Sequence, residues 1–304
     1  MSDATPAWDN YWQGRGGDGA GALTGIEHDA ELAAFWTNAL QDADRSAPLL
    51  DLACGAGTVL RHASELGFAD LTGADLSSAA LAALTRALPG VKTVTCSAAA
   101  TPFDDGAFAT ITSQFGFEYA GAEAAGAEIA RLLQPGGQFI AVAHMAGGAI
   151  HTEVEGHHKA CRTILESGYI DKSKFLFSEV FAGNIAAIAQ AQTVMAEARE
   201  AVFGLTIPGR QSLASHLTKG AAQLWDNRDR YALADILGWF DGIEAQRAAF
   251  EQRMASMLDA ALDETGVGTL QAVFKAAGLE TTPATRLQLG GEDAAWVLKA
   301  ARPA

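Results

Sequence analysis

The residue types best suited to ligand binding lie in residues 51–57, Asp-Leu-Ala-Cys-Gly-Ala-Gly. An apolar run of leucines precedes this stretch, and residues 58–65 have helical character, with Gly67 placed to end the helix. Glycines in such a turn let backbone N–H groups approach a ligand closely, and the start of a helix adds a partial positive charge. A buried strand, a small-residue turn and a helix in this order predict a binding site for a nucleotide-sized ligand.

A second acidic residue, Asp75, ends the next predicted strand at 70–75. In nucleotide sites built from a strand, a helix and a second strand, an acid at this place accepts hydrogen bonds from ribose hydroxyls. A surface aspartate at a strand end is common, but the preceding glycine turn favours the ribose interpretation. We therefore expect Asp75 to bind a ribose and Leu76 to lie against the base.

The glycine spacing separates two classes of nucleotide site. The dinucleotide fingerprint G-x-G-x-x-G fails in both possible frames, because its third glycine would fall on Thr58 or Leu60. This disfavours a nicotinamide-dependent oxidoreductase. The pattern D-x-A-x-G-x-G resembles the first motif of class I S-adenosylmethionine (SAM) dependent methyltransferases, an acidic residue followed by G-x-G-x-G. Ala53 replaces the first glycine, a small-for-small change that leaves the turn possible.

Further motifs of the same family follow in family order, so that the resemblance covers residues 47–145. The stretch from Ser97 to Phe108 resembles the family segment before the fourth strand, although Ser97 stands where the family has an aspartate that contacts the adenine amino group. A hydroxyl would accept that hydrogen bond more weakly than a carboxylate. The turn Leu133-Gln-Pro-Gly-Gly before an apolar strand is also typical of the family.

The resemblance implies SAM as the cofactor. Transfer would occur by in-line displacement from the sulfonium, so the protein mainly positions the reactants and excludes water. The implied cofactor-binding residues are Asp51, Ala53, Gly55, Gly57, Asp75, Leu76, Ser97, Ala98 and Gln114.

A base is needed only if the acceptor loses a proton. His144 ends the fifth predicted strand, faces the expected crevice and carries an imidazole that titrates near neutral pH. We therefore take His144 as the candidate catalytic residue, with a structural histidine as the alternative. Glu118 and Tyr119, after the fourth strand, are weaker candidates.

Two other sets of residues are of types that can bind a metal or form disulfides. His151, Glu155 and His158 would share a helix face, but Gly156 is expected to interrupt that helix and no H-E-x-x-H pattern is present. The three cysteines are widely spaced, which predicts free thiols. We expect no metal site.

The order of predicted elements indicates an α/β fold: a doubly wound, mostly parallel seven-stranded sheet of the class I methyltransferase type, with a large helical insertion after the fifth strand. Residues 1–146 would form N-terminal helices and the SAM-binding core, 147–263 a helical cap, and 264–304 the last helix and a β-hairpin. The hairpin strands are predicted at 280–289 and 294–300.

Aromatic residues in two regions have both a packing and a binding interpretation. Trp8, Tyr11 and Trp12 share one helical face and would pack in the core or form a lid over the cofactor. In the insertion, helices are predicted at 175–201 and 245–262, with a break near Gly238. Its aromatic residues would form either the core of the cap or an apolar acceptor pocket; they are Phe175, Phe177, Phe181, Trp225 and Trp239.

The amino-acid composition and charge of the chain limit the kinds of partner that we expect. The 304-residue chain has a net charge of −15 and a pI near 4.8, which disfavours nucleic acid and favours a small neutral or cationic molecule. No apolar stretch is long enough to span a membrane, and the N-terminus does not resemble a signal peptide, so we expect a cytoplasmic protein.

The predicted function is methyl transfer to an O, N or C nucleophile of a small organic acceptor. The alternative is a non-catalytic regulator or scaffold that binds SAM or S-adenosylhomocysteine.

Overall fold

The computed structural model describes residues 11–12, 29–206 and 212–304. It contains an eight-stranded sheet in which β1 to β5 run parallel and β8 lies antiparallel to β5. The order across the sheet is β3-β2-β1-β4-β5-β8-β6, and β7 also pairs with β8. The strands are β1 Leu49–Leu52, β2 Leu71–Asp75, β3 Lys92–Thr95, β4 Phe108–Gln114, β5 Leu133–His144, β6 Glu280–Thr281, β7 Thr285–Leu289 and β8 Glu292–Ala301.

Ten α-helices have both ends within the described residues. They are α1 Asp29–Leu40, α2 Thr58–Glu65, α3 Ser78–Ala87, α4 Ala122–Leu132, α5 Ala149–Ser167, α6 Tyr169–Phe181, α7 Ile185–Phe203, α8 Leu213–Asp226, α9 Leu233–Ala260 and α10 Glu264–Ala276. None of the helices in these described ranges is both long enough and apolar enough to cross a membrane.

The predicted α/β fold with a mostly parallel sheet is confirmed. All four residues of β1 are buried, as expected for a central strand covered on both faces. Because β2 and β3 lie on one side of β1 while β4 and β5 lie on the other, the chain reverses its direction of winding between β1 and β4. Ligands of doubly wound sheets bind at the carboxyl ends of the strands beside such a reversal.

Two strands differ from the sequence prediction. The single strand expected at 280–289 is split into β6 and β7 around Pro283, which lacks the N–H that a ladder needs. This split gives eight strands in the described sheet instead of the seven predicted. β5 begins at Leu133 rather than at 138, and the register with β4 shifts between Phe108 and Thr110 to accommodate the Pro-Gly-Gly stretch.

The chain divides into two compact units, residues 1–154 with 256–304, and residues 155–255. The first unit contains the sheet. Its core includes Leu50, Ile111 and Phe139, all fully buried. The second unit is helical and has a core of its own that includes Phe177 and Phe240.

Three helix boundaries in this region were predicted wrongly. The helix expected at 175–201 is interrupted between Phe181 and Ile185, because the Asn184 side chain caps α7 by accepting the N–H of Ala187 at 3.3 Å. Conversely, α9 continues through Gly238 and α5 continues through Gly156. A glycine costs a helix only about 1 kcal/mol, which packing can offset.

The aromatic residues of the second unit divide between its core and its surface. Phe177 belongs to the buried core, and Trp225 and Trp239 pack against it. Phe175 and Phe181 are 51% and 42% exposed. Core packing therefore accounts for three of the five aromatic residues considered for an acceptor pocket.

Candidate functional site

The turn after β1 has a left-handed backbone, with φ of +53° at Ala53, +51° at Gly55 and +82° at Gly57. The carboxylate of Asp75, the last residue of β2, lies against this turn. Its Oδ2 accepts the N–H of Gly55 at 2.8 Å, and its Oδ1 accepts the N–H of Ser77 at 2.8 Å. The structure thus brings together the acid and the turn that the sequence predicts to form one site.

The first helical turn of α2 follows directly. Its N-cap residue, Gly57, supplies no side-chain hydrogen bond to the helix. Its φ of +82° is one that L side chains rarely adopt, and a Cβ at this position would lie 2.3 Å from Cδ1 of Leu84, so the position favours glycine. The absence of a side-chain cap leaves the start of α2, with its partial positive charge, facing the turn region.

Trp12 covers part of the turn. A Cβ at Gly55 would lie 2.8 Å from Cζ2 of the Trp12 indole, and the Tyr11 and Trp12 rings meet edge-on with centroids 5.0 Å apart. Two of the residues considered as a lid therefore lie at or beside the turn. The third, Trp8, lies outside the described residues.

Asp51 lies inside the sheet rather than on the turn. Only 1% of this residue is exposed, and its Oδ1 accepts the hydroxyl proton of Thr112 at 2.8 Å. Burial raises the pKa of Asp51 to about 8, the Thr112 hydrogen bond opposes this rise, and the nearby Asp75 charge adds to it. The buried carboxyl group therefore joins β1 to β4 and is largely protonated at neutral pH.

The other expected cofactor residues follow the strands on this edge of the sheet. Leu76 is 54% exposed, directly after β2. Ser97 follows β3, where its hydroxyl accepts the N–H of Ala99 at 3.2 Å, and Ala98 is buried. Gln114 ends β4 and accepts the indole N–H of Trp36 at 2.6 Å.

A buried histidine–carboxylate pair lies where β4 and β5 end. Nδ1 of His144 is 2.7 Å from Oε1 of Glu118, which also accepts the His144 backbone N–H at 2.9 Å. Both side chains are almost completely buried. The pair forms because β4 and β5 are parallel neighbours, so the short 3-10 helix Phe117–Ala120 after β4 brings Glu118 to the last residue of β5.

The other ring nitrogen of His144 and the other carboxylate oxygen of Glu118 take no part in this hydrogen bond. Nε2 of His144 and Oε2 of Glu118 are buried and have no hydrogen-bond partner among the described residues. The Phe115 ring lies beside the imidazole at 4.7 Å between centroids, and Tyr119 meets it edge-on at 5.7 Å. Since buried polar atoms are usually satisfied, a histidine with one ring nitrogen held and the other unpartnered suggests a functional role.

This geometry defines what the imidazole can do. We infer that a neutral His144 donates its Nδ1 proton to the Glu118 carboxylate, which leaves the Nε2 lone pair as the proton acceptor. If Nε2 gains a proton, the adjacent carboxylate stabilises the imidazolium. The pair is therefore suited to general base chemistry.

His144 lies at the strand end predicted from the sequence, where Glu118 is predicted only as a separate, weaker candidate. Glu118 is instead the partner of His144. Phe117 is fully buried core, whereas Phe115 contacts the imidazole ring. Burial and the Glu118 charge raise the pKa of Tyr119 well above its usual value, so this phenol remains protonated at neutral pH.

The possible metal cluster is not formed. The helix does pass through Gly156, contrary to the prediction, yet no three His, Cys, Asp or Glu side chains in the described ranges are arranged to hold a metal ion. Cys54, Cys96 and Cys161 are free thiols.

Residues 49–137 match a family model described as a methyltransferase domain. No curated protein matches the chain by sequence. Among solved structures, the geranyl diphosphate C-methyltransferase of Streptomyces coelicolor A3(2), in complex with Mg²⁺, geranyl diphosphate and S-adenosyl-L-homocysteine, aligns over 99% of each chain. The identity is 14% and the TM-score 0.50, so this likeness concerns the fold alone.

A SAM-dependent methyltransferase from Mesorhizobium loti is 25% identical over a shorter region, with a TM-score of 0.31. That match covers 33% of this chain and 48%, about half, of the Mesorhizobium protein. The family match lies on the segment from β1 to the start of β5, which contains the turn, Asp75 and Glu118. Residues 49–137 are therefore a methyltransferase domain, and the sheet that contains them has the class I SAM-dependent methyltransferase fold.

Proposed function

We propose that this protein is a SAM-dependent methyltransferase that acts on a small organic acceptor and uses His144 as its general base. The observation that carries the proposal is the buried Glu118–His144 pair at the carboxyl ends of β4 and β5. The same edge of the sheet carries the turn against which Asp75 lies. A cofactor site and a base on one edge are what methyl transfer to a proton-bearing acceptor requires.

The residues around the turn fit SAM. The Asp75 carboxylate accepts the N–H groups of Gly55 and Ser77 and ends the second strand, the place at which an acid binds ribose hydroxyls in nucleotide sites of this kind. Leu76 offers an exposed apolar surface of the kind that an adenine ring can cover, and Ser97 and Ala98 follow the neighbouring strand. Ala53, Gly57 and Gln114 would border the methionine part, while Asp51 would support the turn from inside the sheet.

When bound, SAM supplies a methyl group that is already activated by its sulfonium. The chain then has to orient the acceptor, exclude water and accept a proton. His144 Nε2 would take the proton from an O, N or C nucleophile, and the Glu118 carboxylate would stabilise the resulting imidazolium. The surplus of acidic residues favours a neutral or cationic acceptor.

Calorimetric titration with SAM, S-adenosylhomocysteine and NAD tests the cofactor assignment. The protein should bind the first two and not NAD. Asp75→Asn should weaken SAM binding by about tenfold or more, because each good hydrogen bond to a charged group contributes about 1.5–3 kcal/mol. Asp70→Asn is the matched control, since Asp70 precedes the same strand and pairs with Lys92 at 2.7 Å. Binding of NAD alone, or wild-type affinity in Asp75→Asn, would contradict the assignment.

Transfer of labelled methyl from SAM into a metabolite extract tests the base. His144→Gln should lose turnover at every pH while its affinity for SAM is unchanged, and His62→Gln should behave as wild type. Wild-type turnover in the His144→Gln variant would show that His144 is not the general base. Tight SAM binding without turnover on any extract would favour the non-catalytic binding protein.

A further inference from the structure

Ala53 and Gly116 approach each other more closely than two ordinary residues can. A Cβ built on Gly116 would lie 2.5 Å from the Cβ of Ala53 and 2.9 Å from its carbonyl oxygen. Contacts between real Cβ atoms essentially never fall below 3.0 Å. The methyl group that Ala53 adds where the family motif has glycine is thus accommodated because position 116 has no side chain.

This contact joins the glycine turn to the segment that carries Glu118. Ser113 reinforces it, since its hydroxyl donates to the carbonyl of Leu52 at 2.7 Å and accepts the N–H of Phe117 at 3.1 Å. Phe115 has a φ of +53°, a conformation that costs a non-glycine residue about 1 kcal/mol or more. Its N–H donates to the carbonyl of Val142 at 2.7 Å, close to the end of β5. The segment is therefore fixed both to β1 and to β5.

We propose that Gly116 is a positioning residue, matched to Ala53, that sets the separation between the glycine turn and the Glu118–His144 pair. The inference rests on the proposed function, because it takes the turn as the SAM site and the pair as the base. A side chain at position 116 would displace either the turn, which would weaken SAM binding, or the 3-10 helix, which would disturb the Glu118–His144 hydrogen bond.

A double-mutant cycle of Ala53→Gly and Gly116→Ala tests this proposal without a known acceptor. The readouts are the SAM dissociation constant by calorimetry and the downfield Nδ1 proton of His144 by NMR, assigned by its loss in His144→Gln. Gly116→Ala should raise the dissociation constant about tenfold and shift or broaden the Nδ1 signal, as expected for residues in direct contact. The double variant should recover much of both effects, because the contact between the two Cβ atoms is removed while that with the carbonyl oxygen remains.

Gly137→Ala is the matched control. Its new Cβ would lie 2.8 Å from the Gln134 carbonyl oxygen, at the opposite end of β5 from His144. It should lower the melting temperature while leaving SAM affinity and the His144 signal unchanged. If Gly116→Ala does not fold, Ala53→Ser enlarges the same contact by one atom and should raise the dissociation constant and shift the signal.

The proposal is overturned if Gly116→Ala is merely less stable, with wild-type SAM affinity and a wild-type His144 signal, or if the double variant recovers nothing. Failure of wild-type protein to bind SAM is a different result, which contradicts the proposed function. In that case the double-mutant cycle is measured by the His144 NMR signal and by the free energy of unfolding. Additive effects of Ala53→Gly and Gly116→Ala on these two quantities would contradict the proposal that positions 53 and 116 are matched.

Discussion

His144 depends on Glu118 for both its orientation and its electrostatic environment. The single carboxylate oxygen Oε1 holds the ring nitrogen and the backbone N–H of the same histidine, which leaves little freedom for the imidazole to turn. The carboxylate also lies where it can stabilise the imidazolium that forms if Nε2 takes a proton from the acceptor. Glu118 is therefore expected to affect the rate of transfer although it need not touch the acceptor.

Glu118→Gln isolates that charge. The amide of this variant can accept the Nδ1 proton through its oxygen, but without a negative charge. It can instead donate to Nδ1 through its nitrogen, which favours the tautomer with the proton on Nε2. In both cases turnover should fall by about 100-fold or more. Affinity for SAM should be unchanged. Initial rates with labelled SAM measure the effect, and exposed Glu123→Gln on α4 is the control. A turnover number equal to wild type would show that the pair is structural.

Asp51 should make the stability of the protein depend on pH. Its pKa of about 8 in the folded protein lies above the ordinary value of about 4, so the folded chain binds more protons between these values. The contribution of Asp51 to the free energy of unfolding therefore falls as the pH rises through that window. Asp51→Asn lacks the titration, and its melting temperature relative to wild type should increase between about pH 5 and about pH 8. A constant difference would show that Asp51 titrates normally.

At the scale of elements, α4 fixes the loop between β3 and β4. Oε1 of Glu128 accepts both the backbone N–H and the hydroxyl of Thr101, at 2.7 and 2.6 Å, while Arg131 donates to Glu128 and to the Phe103 carbonyl. The Arg131 hydrogen bond holds the pKa of Glu128 at about 2 despite its burial. This network, which is not evident from the sequence, supports the loop that begins with Ser97.

Glu128→Gln tests that support. Because the folded-state pKa lies below the ordinary value of about 4.3, the stabilisation is fully present above that pH and is lost as the pH falls toward about 2. The variant should unfold with a free energy about 1–3 kcal/mol lower at neutral pH. Urea titrations from acid to neutral pH should show the difference shrinking on acidification. A difference that persists at low pH would assign the effect to packing alone.

The elements of the sheet could be predicted because their signals are local. The buried leucine run at 49–52 and the glycine turn at 53–57 are adjacent in the sequence, so no long-range contact is needed to recognise them. The partner of His144 could not be assigned, since Glu118 meets it only after β4 and β5 pair. The boundaries of α7 and α9 were predicted wrongly for a related reason. Tertiary packing and side-chain capping decide whether a helix ends at a glycine or an asparagine.

At the scale of the whole molecule, charge is the dominant property. The chain has 36 acidic against 21 basic residues, and its net charge is −15. Exposed ion pairs such as Lys92 with Asp70 neutralise this surplus only locally and contribute at most about 1 kcal/mol each. The summed field of the surplus carboxylates attracts cations over a distance set by the ionic strength.

SAM and S-adenosylhomocysteine provide a matched pair of probes for that field. They differ in one methyl group and one positive charge, so both should occupy the same site while only SAM gains from long-range attraction. Raising sodium chloride from about 10 to about 200 mM shortens the screening length from about 30 Å to below 10 Å. The dissociation constant of SAM should therefore rise more steeply with salt than that of S-adenosylhomocysteine, as measured by calorimetry. Equal slopes would mean that the acidic surplus lies too far from the glycine turn to affect the cofactor, and would remove the charge argument for a neutral or cationic acceptor.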